Sequence, residues 1–80
     1  MTSDELNART ARFYSWQEAQ YAADRAMPRR TNVRRRPYAQ PSGYHSVRAG
    51  RNVWIVMIGN VVMLDDGTMY DYQRKAYVRG

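Results

Sequence analysis

The sequence contains no cysteine, a single lysine, a single histidine and no acidic residue between Arg25 and Leu64. Without cysteine, neither a disulfide framework nor a cysteine-based zinc site can support the fold. The lone His45 has no carboxylates near it in sequence, so we expect no metal site and no cofactor. The fold is therefore expected to rest on a hydrophobic core alone.

Long apolar runs are equally scarce. The one sustained run covers residues 53–64 and is interrupted by Gly59-Asn60. It is too short to span a bilayer, and the first residues lack the basic-then-apolar pattern of a secretory leader. Eighty residues suit one small domain. We predict a single domain over residues 1–80, a cytoplasmic location and no membrane partner.

This apolar run is where any core must form. Gly59-Asn60 separates its two arms and predicts a tight hairpin, because glycine adopts positive φ without strain. The strand at 53–58 is apolar on both faces. A helix can cover one face, and a partner or a second copy would cover the other. Closure of the second face by the N-terminal segment is the alternative to a homodimer or heterocomplex.

Two N-terminal segments have helical features. Residues 4–14 are predicted as a helix, with a short edge strand around residues 11–14 or a loosely ordered arm as alternatives. Ser15 and Glu18 form a capping-box pattern that predicts a second helix over residues 16–27, ended by Pro28. Its stripe of alanines suits close packing on a sheet, and Trp16 is expected to be the main buried anchor.

The remainder of the chain has the turn spacing of an antiparallel meander. We predict strands at Tyr44–Arg48, Val53–Ile58, Val61–Leu64 and Thr68–Tyr72, with an edge strand near Asn32–Tyr38. Asp66-Gly67 is the second turn signal, and residues 73–80 either add an edge element or fray. The expected fold is α+β: one or two N-terminal helices packed on a small antiparallel β-meander of three to five strands.

Arginines and tyrosines dominate the acid-free middle of the chain. Guanidinium groups bind phosphate or carboxylate with a planar fork and stack on rings. Residues 28–43 are expected to be an extended, exposed basic connection, although such a run is often only a solvated face. The candidate partner-binding residues are Arg29, Arg30, Arg34, Arg35, Arg36, Tyr38, Tyr44, Arg48 and Arg51.

Catalytic patterns are weak by comparison. Asp65-Asp66 is the one carboxylate pair, and turn formation before Gly67 explains it better than acid–base chemistry. His45 lacks a serine or cysteine partner in a recognisable motif, so we expect a strand or surface histidine. No helix-turn-helix pattern or RNA-recognition signature is present. We therefore expect a protein that is not an enzyme.

In overall plan the chain resembles the small single-domain α+β inhibitors that phages and mobile elements encode, notably the anti-CRISPR proteins. The likeness is carried by the short cysteine-free chain, the Ser15-Trp16-x-Glu18-Ala19 capped helix and the Gly59-Asn60 and Asp66-Gly67 hairpins. The resemblance implies stoichiometric binding to a host nucleic-acid machine, such as a multi-subunit type I CRISPR effector. The strong basicity argues against mimicry of DNA.

Two functions are thus expected from the sequence. The first is a non-enzymatic inhibitor that binds a host protein or ribonucleoprotein complex through its arginine-rich surface and blocks its action on nucleic acid. The alternative is a small basic DNA- or RNA-binding protein with a regulatory role, because phosphate contacts dominate such binding.

Overall fold

The computed structural model describes residues 1–26 and 37–78. In this part of the chain three helices and five strands follow one another as α1 (Ser3–Arg9), α2 (Trp16–Arg25), β1 (Tyr38–Pro41), α3 (Gly43–Ala49), β2 (Trp54–Ile58), β3 (Val61–Met63), β4 (Met69–Asp71) and β5 (Ala76–Tyr77). The strands form one antiparallel sheet in the order β1-β2-β3-β4-β5. The predicted α+β class is confirmed.

Both predicted hairpins are present. Gly59 has φ +58°, and the two-residue turn pairs Ile58 with Val61. At the second hairpin the Leu64 amide donates to the Thr68 carbonyl at 2.8 Å, and Gly67 has φ +86°. Asp66 supports this turn, because its carboxylate accepts from the amide and the hydroxyl of Thr68. The Asp65-Asp66 pair therefore lies in turn structure, and β5 is the edge element expected after residue 73.

Helix α2 begins as predicted but docks differently. The Ser15 hydroxyl accepts from the Glu18 amide at 3.2 Å. Ala19 and Ala23 are 0% exposed and pack with Val56 in one core cluster, whereas Trp16 is 52% exposed. The expected role of Trp16 as main anchor is wrong. Phe13 and Trp54 supply the aromatic packing beside the alanines instead, and the helix lies close to the sheet.

The strand predicted at Tyr44–Arg48 is also wrong, because α3 occupies these residues. Ser42 caps the helix by accepting from the His45 amide at 3.3 Å. At the other end Gly50 adopts φ +66° and donates its amide to the Ser46 carbonyl. Capping at both ends outweighs the β-propensity of a seven-residue segment that contains tyrosine and valine. The edge strand expected near Asn32–Tyr38 begins at Tyr38, and residues 32–36 lie outside the described residues.

The predicted helix over residues 4–14 ends early. Helix α1 stops at Arg9, and residues 10–13, here called the inserted segment, continue in extended form between β2 and β3. The Ala11 amide donates to the Met63 carbonyl at 3.0 Å. Phe13 exchanges two backbone hydrogen bonds with Trp54, at 2.8 and 2.7 Å. The segment is not an edge strand, because it fills the space where β2 and β3 diverge beyond their two paired positions.

Part of the second face of the sheet is covered from within the chain. Met1 and Leu6 pack on a cluster formed by Val62, Leu64 and Tyr70. The N-terminal segment thus covers this part of the face, as one alternative expected, and a homodimer or heterocomplex stays a prediction. In the described residues no helix has the length and apolar character needed to cross a membrane.

Candidate nucleic-acid interface

A groove of about 320 Å³ lies between α1 and α3. We call it the Arg–Tyr groove, and its functional side chains are Arg12, Tyr14, Tyr44 and Arg48, with Asp4 and the buried His45 also in its wall. Small residues, Ala8 and Ala49, line it from the two helices. The four named Arg and Tyr side chains are all exposed to solvent.

Helix α3 places Tyr44 and Arg48 together. The two residues are four positions apart and therefore neighbours on one helix face. The Arg48 Cζ atom lies 3.5 Å from the centroid of the Tyr44 ring, and Arg48 Nη1 donates to the Tyr44 carbonyl at 3.4 Å. The stack holds a guanidinium plane in a defined position at the groove, where a free arginine would sample many rotamers.

The inserted segment and the residue after it supply the opposite wall. In extended backbone, alternate side chains point to opposite sides. Ala11 is buried and Phe13 half-buried, so Arg12 and Tyr14 are left exposed. Tyr14 carries a second stack, with the Arg51 Cζ atom 4.3 Å from its ring centroid. Arg51 is itself held by the turn after α3, where its amide donates to the Ser46 carbonyl at 3.3 Å.

His45 joins the two helices beneath the groove. Its Nε2 lies 2.9 Å from the Asn7 carbonyl oxygen of α1, and its Nδ1 lies 2.8 Å from the Ser42 hydroxyl. Because a carbonyl can only accept, Nε2 carries the proton, and in the neutral ring Nδ1 accepts from the hydroxyl. The expectation of a strand or surface histidine is wrong: His45 is a buried helical residue, and its serine partner is the helix cap three positions earlier.

Positive charge outweighs negative charge at this surface. The groove and its second stack present Arg12, Arg48 and Arg51 against the single carboxylate of Asp4. The ion pairs among the described residues join Arg9 to Asp66 at 3.6 Å and Arg74 to Asp71 at 3.8 Å, and neither involves a groove arginine. Within the described residues, the groove arginines donate hydrogen bonds to backbone carbonyls, Arg12 to Ala8 and Arg48 to Tyr44, and form no ion pair.

The Arg9–Asp66 contact has a structural role at a different place. Hydrogen bonds from the Thr68 hydroxyl and amide, with a smaller contribution from Arg9, hold the pKa of Asp66 below its usual range. The pKa of Arg9 is raised, chiefly because its guanidinium donates to the Tyr77 hydroxyl. These contacts tie the end of α1 to the second hairpin and to β5.

The structure brings together only part of the predicted site. Tyr44 and Arg48 lie in the groove, and Arg51 reaches it through its stack on Tyr14. Tyr38 lies on β1, 50% exposed, and does not line the groove. The remaining predicted residues lie outside the described part of the chain: Arg29, Arg30, Arg34, Arg35 and Arg36.

Arg12 and Tyr14 are not among the residues predicted from the sequence. The predicted binding residues follow the acid-free stretch, which starts at Arg25, and residues 4–14 were predicted as a helix. The available signal was the alternation of Ala11 and Phe13 with Arg12 and Tyr14, which is typical of a strand with one buried face. Alternation over four residues is too short to overrule a helix prediction by itself.

The described residues offer little for metal chemistry. Among residues 1–26 and 37–78 no three side chains of the His, Cys, Asp and Glu types lie together as a metal site would require. Both side chains of the Ser42–His45 pair make structural hydrogen bonds, since Ser42 caps α3 and His45 bonds to the Asn7 carbonyl. What this surface offers chemically is a set of arginine planes and tyrosine rings around a groove.

The structure is a small α+β domain with a groove of arginine and tyrosine side chains at its surface. No protein-family model, curated protein or solved structure matches this chain. The function is therefore argued from the geometry of the groove and the charge around it.

Proposed function

We propose that this chain is a non-enzymatic inhibitor that binds a host nucleic-acid-processing complex through its arginine-rich surface. The observation that carries the proposal is the Arg–Tyr groove, where Arg48 is held against Tyr44 and Arg51, beside the groove, is held against Tyr14. A type I CRISPR effector, in the cytoplasm of a host cell, is the first target to test, and the anti-CRISPR resemblance supports that choice.

The residue types of the described surface support a protein-binding role. Tryptophan, tyrosine and arginine are the types that contribute most to affinity at protein interfaces. Trp16, Tyr14 and Tyr21 are all about half exposed or more and are therefore accessible to a partner. Arginine charge would steer the chain toward the acidic, nucleic-acid-loaded surface of such a complex.

The test is capture of the complex by tagged protein from lysate of a cell that carries the effector, with and without nuclease. Capture of effector subunits that survives nuclease supports the proposal. We expect Arg48→Glu to lower this capture strongly, because it reverses charge beside Tyr44. Arg74→Glu is the control, since its side chain is 85% exposed and it lies in the turn before β5.

The arginine run outside the described residues is tested in the same assay. Simultaneous replacement of Arg34, Arg35 and Arg36 by glutamate is expected to abolish capture while the melting temperature stays unchanged. Undiminished capture by this variant would remove the run from the binding surface. Loss of all capture with nuclease, together with tight, sequence-selective binding of free duplex, would overturn the inhibitor proposal in favour of a regulatory nucleic-acid-binding protein.

A further inference from the structure

We propose that the ligand held directly by the Arg–Tyr groove is single-stranded nucleic acid, with bases stacked on the guanidinium planes of Arg48 and Arg51. This inference rests on the proposed function, since the groove is part of the surface that would meet a nucleic-acid-processing complex. It goes further by naming the chemical class of the ligand and the contacts that select it.

The two stacks prepare flat surfaces of the right kind. The Cζ atoms of Arg48 and Arg51 lie 3.5 and 4.3 Å from their tyrosine ring centroids, and both arginines are exposed residues. The proposal places a base on the guanidinium face away from each ring. Guanidinium planes and aromatic rings are the usual platforms for unpaired bases. A base on Arg48 would complete a layered arrangement of ring, cation and base.

The need for an exposed base face selects a single strand. In a duplex each base is covered by its neighbours, so a protein stack can be formed only after unstacking. Backbone contacts come from the same groove, because Arg12 lies in its wall without an aromatic partner. Arg12 is therefore assigned to phosphate, while Arg48 and Arg51 combine stacking with charge.

The other macromolecule that could satisfy three arginines is an acidic polypeptide. Carboxylates would use the charge of the groove but not the planes that its tyrosines hold in place. Pairing of charges with carboxylates gives no role to the two Arg–Tyr stacks. Stacking of nucleic-acid bases on the two guanidinium groups gives both stacks a role. The observations thus favour nucleic acid, and binding of acidic polypeptide becomes an outcome of the test.

The experiment measures fluorescence anisotropy of labelled oligonucleotides of about 12 nucleotides, within the usual site sizes for such proteins. Oligo-dT and oligo-U compare DNA with RNA, a duplex of the same length tests strand state, and polyglutamate competes as the acidic polypeptide. We expect the two single strands to bind at least about tenfold more tightly than the duplex.

The variants separate stacking from charge. Arg48→Lys keeps the charge but loses the plane, so affinity for single strands should fall about tenfold with the salt dependence unchanged. Arg48→Gln should also reduce the log–log salt slope by about 0.7. Arg25→Lys is the matched control, because Arg25 stacks on Tyr21 outside the groove, 5.7 Å from its ring centroid. Thermal melts verify that each variant is folded.

Several results would overturn the inference. Equal affinity for duplex and single strand would show that the groove binds nucleic acid only through its positive charge. The same conclusion would follow if Arg48→Lys lost no more affinity than Arg25→Lys. Displacement of the strand by polyglutamate at equal charge concentration would identify an acidic protein as the ligand. Absence of strand binding with nuclease-resistant capture intact would remove this inference alone, whereas strand binding without any capture would remove the proposed inhibitor role alone.

Discussion

The two faces of the sheet are covered by helices that meet it in opposite ways. Helix α2 buries Ala19 and Ala23 and keeps its large side chains, Trp16 and Tyr21, outside. On the other face Leu6 of α1, together with Met1 before the helix, packs on a cluster of large residues around Leu64. One face therefore depends on side chains being small and the other on side chains being large. The groove belongs to the second side, where α1 and α3 meet over His45.

The two sides of the sheet also differ in what they present to solvent. Alanine contacts let α2 lie close to β1 and β2 on one side, and α1 and α3 line the Arg–Tyr groove on the other. Close packing of small side chains and the proposed binding groove therefore lie on different sides of one sheet. Two substitutions test this division, and a third prediction concerns the second hairpin; they follow from the largest expected effect to the smallest.

The largest effect is expected from truncation on the α1 side. Leu64 is 0% exposed, so Leu64→Ala should lower the free energy of unfolding by about 2–5 kcal/mol through lost burial and a new cavity. Urea denaturation followed by circular dichroism measures it. Val47→Ala on exposed α3 is the control and should change little. A similar loss in both variants would show that this face is not a packed core.

Enlargement on the α2 side should be harmful instead. Ala23 is 0% exposed, and Ala23→Leu would force the helix away from the sheet at a cost of about 1–3 kcal/mol. Gln17→Leu, at an exposed position of the same helix, serves as control in the same denaturation experiment. A stabilised Ala23→Leu protein would contradict the close contact between α2 and the sheet.

The smallest effect is expected from the pH dependence of stability at the second hairpin. The lowered pKa of Asp66 means that its ionised form stabilises the folded chain. This contribution is present above the ordinary value of 3.8 and is lost as the pH falls through the lower folded value. Wild type should therefore exceed Asp66→Asn slightly in stability at neutral pH, and the gap should close in acid.

Thr68→Val provides the matched background for that measurement, because the hydroxyl of Thr68 is the largest cause of the shift. In this background the pH dependence of the Asp66→Asn difference should shrink. Urea melts at neutral pH and near pH 3 compare the four proteins. An unchanged pH dependence would assign the shift to other contacts.

Local signals in the sequence predicted much of the fold. Ser15 and Glu18 marked the start of α2, and Gly59 and Gly67 marked the two hairpins, because each of these features depends on neighbouring residues. Helix α3 was missed because its caps, Ser42 and Gly50, enclose residues that also suit a strand. The burial of Trp16 was predicted wrongly. Helical spacing indicates which face of α2 packs on the sheet, but it does not indicate whether the first residue of the helix is buried.

Local sequence signals could not predict half of the candidate site. Tyr44 and Arg48 are close in sequence, so a helix brings them together once its ends are known. The second stack needs Tyr14 beside Arg51, and nothing local connects these residues. Their meeting depends on the inserted segment entering the sheet, a tertiary event that the short alternation over residues 11–14 could not predict by itself.

The inserted segment also limits the order in which the parts of the sheet can form. Its bridges join Thr10 to Leu64 and Phe13 to Trp54, contacts between residues that are 54 and 41 positions apart (64 − 10 and 54 − 13). Closing such loops costs conformational entropy before the new contacts contribute any stabilising free energy. Folding therefore slows as the sequence separation of contacts grows. During synthesis, the inserted segment is made before the strands with which it pairs. It therefore cannot complete its place in the sheet until Leu64 has been made.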